Sequence, residues 1–394
     1  MSDSDASYKA HFSRFMAADP ERLHMAAHSH HPWPDVAIDA HARCAEDATR
    51  LADRKWSYIL EELFPAARRG IARVLSLPDQ SSLAFGPNTH GFVLRLLSCL
   101  PTGAAPRILT TDGEFHSFTR QARRLEEEGL VAVTRVASAP FADFPARFAA
   151  AARSGPFDLA FFSYVFFESG YAVPDLAGLV EALAPHARLI AIDGYHGFMA
   201  VPSDLGGLAE RAFYVAGGYK YAMAGEGAAF LHVPPGQAMR PRDTGWFAAF
   251  ESLHGAPEGA VSYATDGSRF MGATFDPAGV YRMRAVLDWL EELGVTVADI
   301  HARAHALQAR FVEGLARLDL AALAPAHLVV PVSAPNRGNF LAFRTARAAH
   351  IARALAARNV YTDVRRDHLR FGFGLYHDED DVERLCAILG EVLD

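Results

Sequence analysis

Lysine is nearly missing from this chain. Of its 38 basic residues only three are lysines: Lys9, Lys55 and Lys220. Cysteine is as sparse. Cys44, Cys99 and Cys386 are odd in number and far apart, which excludes a disulfide framework and makes a reducing cytoplasm the expected compartment. No run of about 18 apolar residues occurs, so no membrane-spanning helix is expected, and residues 1–15 lack the apolar centre of a secretory signal. A formal net charge of -8 without any basic stretch argues against nucleic-acid or membrane-surface binding. The phosphate-loop pattern, the nucleophile-elbow pattern and Cys-x-x-Cys are also absent, as is any repeat of fixed period. What remains is a 394-residue chain, 51% apolar, long enough for a large core and two domains.

Against that background, residues 188–233 stand out. They read as strand, turn, short helix, strand, turn, strand. The first strand, 188–192, runs into Asp193, with His196 three residues on. The second, 212–216, runs into Gly217-Gly218-Tyr219-Lys220-Tyr221. Apolar runs that stop on a polar residue are the mark of buried parallel strands delivering side chains to a site at their carboxyl ends. Arginine carries the positive charge elsewhere, and arginine does not deprotonate to act as an amine. A lone buried-strand lysine paired with an acid suits pyridoxal 5'-phosphate, which needs an amine for a Schiff base and an anion for its pyridine nitrogen.

Asp193-Gly-Tyr-His196, then Gly218-Tyr219-Lys220-Tyr221, then Gly225-Glu-Gly227 together resemble the class V aminotransferase family of fold-type I pyridoxal phosphate enzymes, nearest its kynureninase branch. The resemblance implies an α/β fold. Its large domain has a mainly parallel seven-stranded sheet between helices, and a small α+β C-terminal domain follows. The expected divisions are residues 1–40 as an N-terminal segment packing with the small domain, 41–276 as the large domain, and 277–394 as linking helices and small domain. It also implies a homodimer with composite active sites and an amino-acid substrate.

Other stretches take their places in this frame. Residues 82–85 read as a strand, 86–91 as a glycine-bearing turn and 92–100 as a helix, a combination that presents free N–H groups and a positive dipole end to an anion. Thr89 is expected to cap this helix, and Asn88 and Thr89 match the family's phosphate-binding turn. Phe115 falls where the family stacks a ring on the pyridoxal. Trp246, in Gly245-Trp246, and Thr274, in Gly272-Ala273-Thr274, match phosphate contacts, the latter across the dimer. Asp193, His196, Tyr219 and Lys220 complete the cofactor set, with Lys220, Asp193 and Tyr219 as the catalytic residues. Arg370 is the expected substrate-carboxylate ligand, because a guanidinium fork grips a carboxylate in two places. Arg365 and Arg366 are expected to face solvent. His28 and Ser29 are candidate substrate contacts. His28, His30 and His31 have no acidic or cysteine partner at ligand spacing, so no metal site is expected. His301 and His305 read as a solvated helix face. Strands are expected near 327–332, 339–344, 360–364 and 369–373.

Three departures from the kynureninase pattern bear on the reaction. Phe118 stands where kynureninases carry an acid, Glu168 follows the Phe166-Phe167 pair where the family is commonly polar, and an Asn is missing after Tyr221. Kynureninase-like hydrolysis, transamination and β-elimination all fit an amino-acid substrate joined to the cofactor. A cysteine desulfurase needs a cysteine on a mobile loop, whereas all three cysteines here fall in helical stretches. A non-catalytic relative would have no reason to keep Lys220, Asp193 and Arg370.

Overall fold

The computed structural model describes residues 7–252 and 259–393. Among them are twelve strands: β1 (Leu23–His24), β2 (Leu83–Gly86), β3 (Arg107–Thr111), β4 (Ala132–Val136), β5 (Phe157–Ser163), β6 (Ala187–Asp193), β7 (Ala212–Gly217), β8 (Ala229–His232), β9 (Phe340–Arg344), β10 (Val360–Tyr361), β11 (Asp363–Arg365) and β12 (His368–Gly372). Seven of them form one sheet in the order β2-β8-β7-β6-β5-β3-β4. Only β8 runs antiparallel to its neighbours. The central strands β5, β6 and β7 are buried almost throughout, which is why they read as continuous Phe, Leu, Ile, Val and Ala runs rather than alternating patterns.

Register fixes what arrives together. Ser163 at the end of β5 pairs with Asp193 at the end of β6, and Asp193 pairs with Val215 in β7. The chain leaves β7 at Gly217, so Lys220 emerges beside the acid. The helix Thr89–Ser98 starts just after β2. Its cap is Asn88, not Thr89: Asn88 is extended and its Oδ1 accepts from the Gly91 N–H at 2.9 Å, while Thr89 is the first helical residue. Asparagine caps at least as well as threonine, and only the residue outside the first turn can reach back to N3.

A second, smaller hydrophobic cluster lies around β9, β11 and β12, an antiparallel sheet in the order β11-β12-β9. The helix Val297–Leu318, opened by a capping box of Thr296 and Asp299, packs against the final helix Glu379–Leu393 in that cluster. The N-terminal segment joins it, since β1 pairs in parallel with β10. The expected strand at 327–332 is absent, and only an isolated bridge, Leu328 to Phe343, occurs there. Pro325 and Pro331 flank that bridge, and proline donates nothing to a ladder. The expected strand at 360–364 is two short ones with different partners, β10 and β11. Among the described residues no helix is long and apolar enough to cross a membrane.

Candidate active site

The Lys220 side chain is 5% exposed and walled by rings. Its Nζ lies 4.3 Å from the Tyr195 ring centroid, 5.3 Å from Tyr219 and 5.4 Å from Phe115. Burial among these rings pushes the amine down to about 7, Arg370 and Arg365 add to the effect, and Asp193 opposes it. Half or so of such amines are neutral near neutral pH, which is the form that attacks a carbonyl or takes a proton. Asp193 accepts from the Tyr195 N–H at 2.9 Å. Burial raises its carboxyl above the ordinary value, against the pull of that hydrogen bond and of Lys220.

Two packing features hold this arrangement. The loop after Lys220 turns through Gly225 at φ +65, where the Trp33 ring occupies the space a side chain would need. Arg282 stacks 4.3 Å from Trp33 and donates from Nε to the Ala224 carbonyl at 2.6 Å. From the other side comes the N-terminal segment. His30 stacks on Tyr219 at 5.1 Å, Tyr219 leans on Tyr195 at 4.7 Å, and the His31 N–H donates to the Tyr219 carbonyl. The Tyr219 phenol is pushed up to about 12 by burial, helped by Asp193, so it is a hydrogen-bond donor at neutral pH.

His28, His30 and His31 part company. His30 lies on Tyr219, and His31 points Nδ1 toward the Pro32 carbonyl at 2.8 Å. His28 stacks on Phe340 at 4.5 Å, in space left by the missing side chain of Gly372. Neither His28 nitrogen has a hydrogen-bond partner within the described residues, and neither has Nδ1 of His196 or Nε of Arg370. His196 and the Arg370 guanidinium also border Phe340, at 5.5 and 5.6 Å. Phe340 is therefore the hub of a buried nest of three nitrogen-bearing side chains, each with unmet hydrogen-bonding capacity. Burial, with the nearby Lys220 and Arg370, drives both histidines well below their ordinary value, so they are neutral. Ser29 points elsewhere, its hydroxyl 3.2 Å from His30 Nδ1.

Arg370 is fully buried and already engaged. It donates to the Phe167 carbonyl and pairs with Asp363, its cross-strand neighbour. Desolvation lowers it to about 10, so it stays charged. Arg365 does not simply face solvent: it pairs with the other Asp363 oxygen at 2.8 Å. Arg366 is largely exposed and 3.6 Å from Glu168. His301 and His305 are half-buried rather than solvated, because their helix packs on the large domain. The two rings touch at 3.8 Å, and His301 Nδ1 lies 2.9 Å from the Ala200 carbonyl and 2.8 Å from Asn339 Oδ1.

Trp246 and Thr274 meet one another, the indole N–H donating to the threonine hydroxyl at 3.1 Å. Gly245 lies against Gly272, and Gly272 against Arg95 of the Thr89–Ser98 helix. This pair therefore sits on the flank of the proposed phosphate helix and is exposed. Phe118 stacks on Phe161 at 3.8 Å deep in the core.

Glu114, Phe340 and Asp363 were not foreseen as site residues. Glu114 is buried, accepts from Thr111 Oγ1 at 2.6 Å and from both the N–H and hydroxyl of Ser163, and is raised to about 7 by burial. Its signal was available: a carboxylate just beyond a buried strand end, like Asp193. Phe340 and Asp363 gave no such signal.

The family described as kynureninase C-terminal domain matches residues 300–389. Isopenicillin N epimerase of Streptomyces clavuligerus is 30% identical over 260 residues, 61% of this chain and 61% of that protein. Kynureninase of Deinococcus radiodurans is 31% identical over 218 residues, 54% of this chain and 52% of that one. The chain thus spans less than two thirds of each relative. Among solved structures, a lysine-to-alanine mutant of C-DES with glycine covalently linked to its PLP cofactor superposes with a TM-score of 0.83 at 19% identity, covering 98% of this chain and 100% of that one. The cysteine desulfurase CsdA of Escherichia coli does so with 0.78 at 16%, covering 97% and 98%. The chain therefore shares the fold of these solved pyridoxal phosphate enzymes, and its C-terminal part is similar to that of kynureninases. The elements described above occupy the expected layout, a large mixed sheet that is mostly parallel with a separate small C-terminal sheet. The residues present also suit pyridoxal phosphate. A buried amine sits beside a strand-end acid, aromatic faces flank the amine, and an asparagine-capped helix N-terminus offers free N–H groups.

Proposed function

We propose that this protein is a pyridoxal phosphate enzyme acting on an amino acid, with kynureninase-like hydrolytic Cβ–Cγ cleavage of kynurenine or a related substrate as the best-supported reaction. The observation that carries this reading is the buried amine of Lys220, enclosed by three aromatic rings next to Asp193. Pyridoxal phosphate, when bound, supplies an aldehyde for amines and a ring that takes up the electron pair released at the substrate's Cα. Asn88 and Thr89 would hold its phosphate, with the adjoining Trp246 and Thr274 contributed by the partner subunit. Phe115 would cover the ring, and Asp193 would keep the ring nitrogen protonated. His196 has a free nitrogen with which to meet the ring's polar edge.

The chain's own chemistry follows from these placements. Lys220, near-neutral because it is desolvated, takes the proton from Cα and can return it. Tyr219 keeps its phenolic proton and donates it as a hydrogen bond. Arg370 holds the substrate's α-carboxylate, and the walls of Phe115, Phe167 and Phe340 exclude water around it. A homodimer, with Trp246 and Thr274 exposed toward the second copy, completes the reading, in the cytoplasm.

Transamination or β-elimination on another amino acid is the second reading. It is favoured by Phe118, which fills the position of the kynureninase acid with a core ring stacked on Phe161. Cysteine desulfurization is disfavoured, since Cys99 is buried, Cys44 lies in the helix Asp35–Leu51, and Cys386 packs against Gly314 between two helices. The deciding experiment is incubation with kynurenine and a panel of amino acids, followed by product analysis. Alanine and the aromatic acid from kynurenine support hydrolysis. A keto acid, or loss of the β-substituent from other substrates, moves the assignment to the second reading. Racemised substrate, the reaction class named by the epimerase relative, replaces both.

A further inference from the structure

Asp363 stands between two guanidinium groups. One carboxylate oxygen faces Arg365 at 2.8 Å, the other pairs with Arg370, and His28 Nε2 lies 3.5 Å from that second oxygen. The acid is 12% exposed and Arg370 2%. Phe167 and Asp363 each take an N–H from one terminal nitrogen of Arg370, and Nε is the nitrogen with no partner at all. Every two-point grip on a guanidinium uses at least one terminal nitrogen. A ligand carboxylate that engages Arg370 in that way must therefore share a terminal nitrogen with Asp363 or the Phe167 carbonyl, and beside Asp363 two like charges compete for one nitrogen. Charge counting agrees. Asp363 is shared between two guanidiniums, of which Arg370 is buried and Arg365 partly exposed, so the buried one is only partly compensated and a further carboxylate closes the balance.

We infer that Asp363 is a displaceable internal carboxylate, a specificity-determining residue that a substrate's α-carboxylate must push off Arg370. The inference rests on the reading of Arg370 as the carboxylate site. The acid has somewhere to go. Arg365 already holds its other oxygen, and neutral His28, fixed between Phe340 and Gly372, has a free nitrogen that can donate to it. The displaced acid thus keeps charge-assisted partners, and the exchange trades one ion pair for another of the same kind. Neutral amides and esters of the same shape cannot drive it, because they would leave Arg370 without a counter-ion. The device therefore restricts the site to ligands with a free carboxylate. A carboxylate that merely orients Arg370 would make the opposite prediction, since its loss would weaken binding.

The test is calorimetric titration of the cofactor-loaded protein with benzoate, which cannot react, and with benzamide as the neutral control. Asp363→Asn keeps the shape and removes the competing charge, and should bind benzoate about tenfold more tightly. Arg365→Gln removes the acid's alternative partner, fixes Asp363 on Arg370, and should weaken benzoate several-fold. Arg370→Ala should abolish the signal, and benzamide should bind none of the four proteins measurably. Weaker binding by Asp363→Asn overturns the inference and makes Asp363 an orienting residue. If Asp363→Asn does not fold, Arg365→Gln decides alone, with unchanged or tighter binding overturning the idea. Undiminished benzoate binding by Arg370→Ala is a different failure: it removes the carboxylate site itself, and with it that part of the proposed function.

Discussion

The two halves of the site handle buried charge in opposite ways. On the large sheet, Lys220 is desolvated by rings and opposed by a single acid, so its proton is loosely held. On the small sheet, Arg370 is just as buried but is locked into an ion pair and a carbonyl contact, so its charge is kept. One half is built to change protonation state and the other to keep it. The difference follows from side-chain chemistry: an ammonium loses its proton when stripped of water, whereas a guanidinium does not. Chemistry is therefore expected on the lysine side and recognition on the arginine side.

The sharpest way to break that division is at Lys220. Lys220→Ala should lower turnover by roughly a thousandfold or more. Borohydride treatment of the native protein should fix the cofactor on Lys220, as read by peptide mass spectrometry. An adduct on Lys55 instead, or none, refutes the lysine half. Arg370→Ala comes next. It should leave the visible absorbance of the bound cofactor intact and lower kcat/KM by about 30-fold to several thousand-fold, the equivalent of about 2–5 kcal/mol for a lost bidentate pair. Arg370→Lys should recover only part of this, and Arg366→Ala, largely solvated, almost none of the loss. Damage from Arg366→Ala exceeding that from Arg370→Ala would show the recognition half to be misplaced.

A third test separates the halves by stability rather than turnover. Unfolded, the Lys220 amine keeps its ordinary value of 10.5; folded, it lies near 7. Below pH 7 the native chain carries a buried ammonium and bears the full penalty, on the order of a few kcal/mol. From pH 7 to 10.5 the penalty shrinks, because the native amine is neutral while the unfolded one is still losing its proton. Lys220→Met should therefore raise the Tm of the cofactor-free protein most near pH 6–7, with the gain closing by about pH 10. A gain that grows with pH contradicts the assigned desolvation. The smallest effect is expected from Cys386→Ser. Cys386 packs against Gly314 between two helices, and kcat should stay within about twofold. A complete loss of turnover with the fold intact would revive a thiol mechanism.

The same contrast explains what could be read from the sequence. Asp193 and Lys220 were legible because a strand buried on both faces must be apolar until it ends, and the first polar residue marks the mouth of the sheet. Asn88 was named from the strand, glycine turn and helix that surround it together with the family resemblance, and Phe115 from that resemblance alone. The edge strand β4 was not, since only intermediate and exposed positions occur along it and no apolar run announces it. Of the arginine half only Arg370 and His28 were named beforehand. His28, Phe167, Phe340, Asp363 and Arg370 come from four separate segments, and no local pattern records that they meet. Arg370 could be named from its resemblance to a family motif, but its partner Asp363 could not. Asp363 faces Arg370 only because β11 and β12 pair in that one register.

β1 has a bearing on the order in which the protein is made. Its two residues find their partners in β10, more than 330 positions further on, and Ala26 bridges to Gly372. Until the ribosome has released that distal segment, residues 23–28 have nothing to pair with, and His28 has no place to lie. The strands β2 to β8, by contrast, have all their sheet partners among residues 83–232. A nascent chain can thus assemble the sheet that carries Lys220 while the ligand-recognising nest is still in pieces. Loop-closure entropy makes this last stitch the costly one, so Lys220 can take its place in the sheet before the segments around Arg370 come together.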